Sequence, residues 1–196
     1  MRNTFKGMNN IPFVCFLSVV VFLMTAPLLI SMNVQKANAM FGPSRQNVTK
    51  TVEINAPPEK VWAIVKNFHD MSWHPAVEKT EGDGGNTVGA KRVLVLKGGG
   101  KVFEQLSDYS TEMMSYSYRI TEVDVKVLPV TKYASSISVR GNDAGTTVLE
   151  WKGGFFRGFP NNNPPPELND QAAVETMSGV YLAGLEAVKK KIESGS

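Results

Sequence analysis

Val52-Glu53-Ile54-Asn55-Ala56-Pro57-Pro58-Glu59-Lys60-Val61-Trp62-Ala63-Ile64-Val65-Lys66 is followed within a few residues by Met71-Ser72-Trp73-His74-Pro75. Apolar and polar residues alternate from Val52 to Asn55, the period of a half-buried strand, and the two prolines end it because neither can donate to a ladder. Proline is tolerated in a first helical turn, where its N–H would lack an intrahelical partner, so Pro58 opens a helix to about Lys66. Val61, Trp62, Ile64, Val65 and Phe68 give that helix a broad apolar face, with Lys60, Lys66 and Asn67 left for water. A short helix so apolar needs a large partner surface, and the sequence downstream supplies one.

Alternating runs at Val48–Asn55, Val77–Glu81, Ala90–Leu96, Lys101–Ser107, Met114–Val123, Thr131–Val139 and Thr146–Gly153 predict seven strands. Glycine- or acid-rich turns separate them, as at Glu81–Gly85 and Gly141–Gly145. Lys97-Gly98-Gly99-Gly100-Lys101 lies between two such runs and reads as a hairpin turn. A phosphate-binding loop would need a following helix and a Lys-Ser/Thr ending. From about Asn169 to Ile192 the period changes: Val174, Met177, Tyr181, Leu185, Val188 and Ile192 recur every three or four residues, with Lys189, Lys190 and Lys191 complementing the dipole at the helix C-terminus. Gly179 and Gly184 each weaken a helix by about 1 kcal/mol relative to alanine, which points to close backbone approach or a cavity wall.

Residues 1–39 hold Arg2, Lys6 and Lys36 but no acidic residue, an apolar run from Ile11 to Ile30, and the small-residue site Ala37-Asn38-Ala39. This is the pattern of a secretory signal cleaved after Ala39. Its uninterrupted core, Phe13–Ala26, is 14 residues long, whereas a membrane span needs about 20. An uncleaved anchor is the alternative, and it too places the domain outside the cytoplasm. Cleavage removes three of the 21 basic residues and none of the 18 acidic ones. The remaining chain is close to neutral, which argues against a nucleic-acid or anionic-membrane surface. Cys15, the single cysteine, leaves with the signal, so no disulfide, thiolate or lipid anchor is expected. A polar lead-in at 40–47 then precedes one domain over 48–196, long enough to bury a core without covalent staples.

The order of strand, short helix pair, antiparallel strands and long final helix resembles the helix-grip fold of the START-like, Bet v 1-like superfamily. This is an α+β architecture in which a curved sheet of about seven strands wraps the last helix around a cavity. Val52–Trp62 and Trp73-His74-Pro75 resemble its polyketide cyclase/dehydrase (SRPBCC) branch. Tyr118–Val123, Val127–Val130, Trp151-Lys152-Gly153 and Arg157–Asp170 are similar to the narrower MxaD family of periplasmic accessory proteins. That resemblance implies a periplasmic, non-enzymatic role assisting methanol dehydrogenase and its cytochrome c acceptor, with no cofactor and no catalytic residue to carry over.

His69 and His74, the only two histidines, lie five apart and do not stack on one helical face. With Asp70 they fall short of the four ligands of a closed metal site, so no metal is expected and the corner reads as structural. His74 lacks a visible nucleophile for a catalytic triad. Asn47-Val48-Thr49 matches a glycosylation sequon but receives no role. Trp73, His74, Tyr133, Trp151, Met177 and Tyr181 are the candidates for lining a cavity that takes an apolar small molecule, as a carrier or an enzyme would. Phe155, Phe156, Arg157, Phe159, Pro160, Asn161 and Pro164 are the candidates for partner contact, because three aromatics and an arginine precede a loop too proline-rich for helix or inner strand. The same loop also reads as a clamp that sets the start of the final helix, with Asn169 or Asp170 as N-cap. Glu104, Glu122 and Glu150 fall within strands, and strand parity alone leaves their faces open.

Overall fold

The computed structural model describes residues 42–195; the secretory signal and cleavage position expected from the sequence lie outside them. Seven strands form one antiparallel sheet: β1 (Gln46–Ile54), β2 (Val77–Asp83), β3 (Lys91–Leu96), β4 (Lys101–Ser110), β5 (Ser115–Val123), β6 (Val130–Gly141) and β7 (Thr147–Arg157). Strands β2 to β7 run as a meander, and β1 joins the far edge on β7, giving the order β1-β7-β6-β5-β4-β3-β2. Helix α1 (Pro58–Val65) follows β1, and helix α2 (Asp170–Glu193) closes the fold on β1 and β7. No described helix is long and apolar enough to cross a membrane.

Helix α1 buries Val61, Trp62 and Val65. The expected second short helix is replaced by a chain of turns, for which Asx side chains supply the reason. Asn67 Oδ1 accepts from the His69 N–H at 3.0 Å and Asp70 Oδ1 from the Ser72 N–H at 2.9 Å. Such local bonds offer the backbone an alternative to the helical ladder, and Pro75 keeps His74 out of helix. Lys97–Gly100 does turn β3 into β4, with Gly99 and Gly100 at φ 87° and 90°, a conformation glycine adopts without penalty.

Four register shifts bend the sheet, one between β2 and β3 at Val77/Lys79 and three that bear on which side chains face α2. On β5 an extra residue near Thr121 puts Glu122 in solvent, while Ile120 and Val123 pack against the core. On β4 an extra residue near Ser107 brings Tyr109 to Trp62, with ring centroids 5.8 Å apart. On β6 the shift falls between Thr131 and Ala134, with Lys132 at φ 47°. Within that frame Glu104 points inward and Glu150 outward, where it pairs with Arg140 at 3.3 Å and Lys152 at 3.7 Å.

Helix α2 is capped by Asn169, whose side chain accepts from the Ala172 N–H at 2.8 Å. It buries Ala173, Met177, Tyr181, Leu185 and Val188 along one face. Gly184 belongs to that face, whereas Gly179 is exposed with open space around it.

Candidate functional site

Between α2 and the concave face of the sheet lies a cavity of about 80 Å³. Its walls are mainly apolar, with Met71, Leu94, Val102, Leu128 and Met177 among them, and its polar members are Glu104, Tyr118, Tyr133, His74 and Trp151. Of the candidates named from sequence, His74, Tyr133, Trp151 and Met177 line it directly. Tyr181 and Trp73 stand behind that wall. The Tyr181 ring stacks on Trp151 with centroids 4.7 Å apart, and Trp73 meets Trp151 edge-on at 5.7 Å while donating its Nε1–H to the Asp70 carbonyl.

His74 has no nitrogen left for a ligand. Nε2 lies 3.0 Å from the Val180 carbonyl and Nδ1 lies 3.2 Å from the Ala76 N–H, which fixes the neutral tautomer with the proton on Nε2. Burial holds its pKa below the ordinary value against the pull of the Val180 carbonyl, and nearby Arg92 and Lys97 add to the depression. His74 therefore ties the corner before β2 to the middle of α2. His69 also has a structural bond, from Nε2 to the Lys91 carbonyl at 2.9 Å. Among the described residues no cluster of three or more metal-ligating side chains occurs.

A hydroxyl network forms the polar wall of the cavity. Tyr181 donates to Tyr133 at 2.9 Å, Tyr133 and Tyr118 hydroxyls are 3.3 Å apart, and Ser135 donates to the Lys152 carbonyl at 2.8 Å. Trp151 Nε1 supplies a shared proton to Tyr118 at 3.0 Å and Ser135 at 2.9 Å. Burial raises every phenol in this group, Tyr181 to about 12 and Tyr118 and Tyr133 well above their usual value, so they remain protonated donors at neutral pH.

Beside the network is a buried ion pair that the sequence reading did not identify. Arg92 on β3 and Glu104 on β4 sit directly opposite in the register, and Arg92 Nε donates to Glu104 Oε2 at 2.6 Å. Arg92 also donates to the Phe68 carbonyl at 2.5 Å and lies over the Phe68 ring, 4.1 Å from its centroid. Burial alone would lower Arg92, but Glu104, Tyr116 and Tyr118 outweigh it and keep the guanidinium charged. Burial pushes the Glu104 carboxyl up, and Arg92 opposes that push. A signal for the pair was present: Glu104 lies between inward Val102 and Leu106, and the glycine hairpin brings residue 92 opposite 104.

The contact candidates divide into two groups. Phe155 and Arg157 are buried and unavailable to a partner, because β7 continues to Arg157, which pairs with Val130. Arg157 bonds the Phe159 carbonyl, the Asn161 carbonyl and Asp170, each at 2.9 Å, so it fastens the loop to the start of α2. Phe156, Phe159 and Pro164 are half-buried, while Pro160 and Asn161 are exposed. On the outer sheet face a wider, shallow depression of about 320 Å³ is edged by Asn47, Thr49, Ser117, Ser136 and Lys152. It contains no acid–base pair.

The family model described as polyketide cyclase / dehydrase and lipid transport matches residues 45–193. No curated protein matches the chain. Among solved structures, the protein XoxI from Bacillus cereus is 28% identical, covers 74% of this chain and 93% of its own, and superposes with a TM-score of 0.61. A protein from Nitrosospira multiformis is 26% identical over 77% of this chain and 100% of its own, with a TM-score of 0.62. Norcoclaurine synthase from Thalictrum flavum, solved with dopamine and hydroxybenzaldehyde, has a TM-score of 0.59 over 91% of this chain and 99% of its own. At 17% identity it shows the fold alone.

Proposed function

The chain belongs to the polyketide cyclase / dehydrase and lipid transport family, of Bet v 1-like helix-grip fold, and from that premise we propose that it binds a small apolar molecule between the sheet and α2. The observation that carries this reading is the cavity itself, whose wall is aliphatic and aromatic with a few converging polar groups. At about 80 Å³ it is smaller than the roughly 300 Å³ at which drug-sized pockets begin. The occupant is therefore compact, or α2 shifts outward to admit it. Neither His74, with both nitrogens engaged, nor any nucleophile and base pair gives the site a reaction, so binding is the function the geometry supports.

Trp151 reports on this site because it lines the cavity. Titration with small apolar compounds is expected to change tryptophan emission, and Val102→Phe, which fills the cavity, is expected to abolish the change while leaving a folded protein. Emission insensitive to every compound across a series of sizes would overturn the reading.

A second reading comes from the resemblance to the MxaD family: a periplasmic accessory to methanol dehydrogenase and cytochrome c. What favours it is the loop from Phe159 to Pro164, which Arg157 holds fixed while Pro160 and Asn161 stay exposed. A prefixed loop loses little entropy when a partner docks. Methanol-dependent reduction of the cognate cytochrome, measured with and without the protein, tests the role. A mature N-terminus at Met40, found by mass spectrometry of the secreted product, tests the compartment.

A further inference from the structure

We propose that the cavity selects a neutral hydroxyl-bearing molecule, a short alcohol above all, whose oxygen accepts a proton from Tyr118 and donates its own to Glu104. This rests on the cavity being a ligand site and adds the chemistry of the polar end.

Glu104 is 4% exposed and lines the cavity. Arg92 engages only its Oε2, through Nε, rather than gripping both oxygens as a bidentate pair would. Among the described residues no protein group donates to the second carboxylate oxygen, in a wall that is otherwise largely apolar. A guest in the cavity can supply that proton.

Tyr118 supplies the complementary donor. Tyr181 donates to Tyr133 and Ser135 to the Lys152 carbonyl, so the sense of the 3.3 Å contact between Tyr118 and Tyr133 is the one left open. When Tyr133 donates to Tyr118, which also accepts from Trp151 Nε1, the proton of Tyr118 is free for the cavity. An acceptor in the cavity is thus met by turning hydroxyls, with no movement of heavy atoms.

Charge narrows the guest further. A carboxylate would face Glu104 across a desolvated space and be repelled. A neutral hydroxyl avoids that repulsion and fills both roles with one atom. The cavity volume favours a chain of a few carbons behind it: at about 80 Å³ the space is roughly half that of an engineered cavity that takes benzene.

The test compares 1-butanol with 1-chlorobutane, which has similar size and no hydroxyl, by NMR titration of the purified protein. The signals followed are those of Tyr118, Leu128 and Met177. The expected result is butanol affinity about tenfold or more above that of chlorobutane, given one hydrogen bond to a charged group and one to a neutral one. Tyr118→Phe is expected to reduce that ratio several-fold. Arg92→Met with Glu104→Leu, which removes both charges and leaves no unpaired ion, is expected to reduce it further than Tyr118→Phe does, and the three substitutions together to bring it to about one. Equal affinity for the two compounds in the unaltered protein overturns the hydroxyl preference and leaves the apolar ligand reading standing. Saturation by neither overturns both.

Discussion

Gly184 lies directly against His74. A β-carbon at position 184 would stand 2.6 Å from Cδ2 of His74, and it would also come within 2.8 Å of the Trp151 ring. Both obstacles are rigid rings held from behind, His74 by the Val180 carbonyl and Trp151 by the Tyr181 stack. Gly184→Ala is therefore expected to overpack the helix–sheet seam and lose about 1–3 kcal/mol. Gly179, with nothing within 4 Å, is the control: Gly179→Ala is expected to gain about 1 kcal/mol from helix propensity. Urea denaturation of the two variants reads the difference, and equal shifts in one direction would contradict the close approach.

His74 also sets a pH dependence. Its folded pKa lies below the ordinary 6.5, so between those two values the unfolded chain binds more protons than the native one. The contribution to stability is complete above about pH 6.5 and is lost as the pH falls toward the folded value. His74→Gln keeps an N–H for the Val180 carbonyl and removes the titration. Unfolding free energies measured from pH 8 down to pH 5 are expected to fall more steeply for the unaltered protein than for the variant. Parallel curves would show that His74 does not titrate differently on folding.

The Arg92–Glu104 pair makes opposite predictions for single and double replacement. Glu104→Ala leaves a buried guanidinium without its counterion and is expected to cost about 3–5 kcal/mol, whereas replacing both with Met and Leu is expected to be near neutral or stabilising. Chemical denaturation of the three proteins yields the comparison. A small loss for Glu104→Ala would mean that water reaches Arg92, and the carboxylate would then not be desolvated as the geometry requires.

Strands and helices were legible because their periods are local: Val52 to Ile54 alternates, and Met177, Tyr181, Leu185 and Val188 recur at helical spacing. Part of the cavity was legible for the same reason, since Tyr133, Trp151 and Met177 are large residues on core-facing positions. The face of Glu122 was not, because an extra residue near Thr121 shifts the register of β5 against β4, and a bulge leaves no clear mark in one sequence. Arg157 was misplaced for a different reason. Two of the groups it holds are backbone carbonyls of the loop, at Phe159 and Asn161, and the third, Asp170, opens α2; main-chain acceptors have no sequence signature.

Arg157 gives the means to separate the clamp from the docking loop. Its side chain is buried and anchored to the Phe159 and Asn161 carbonyls and to Asp170, whose own side chain is 34% exposed. Removing it strands two carbonyls and loosens the first turn of α2, whereas the partly exposed carboxylate regains water and loses less. Arg157→Met is accordingly expected to cost about 2–3 kcal/mol, with faster hydrogen exchange at Ala172 and Ala173. Asn169→Ala, which deletes only the cap, is expected to cost about 1 kcal/mol. Pro160→Ala and Asn161→Ser, at exposed positions, are expected to leave stability within about 0.5 kcal/mol. If the loop docks a partner, those two variants lose cytochrome-coupled activity while Asn169→Ala keeps it. If the loop is a clamp alone, activity follows stability across the whole series, with Arg157→Met the most impaired.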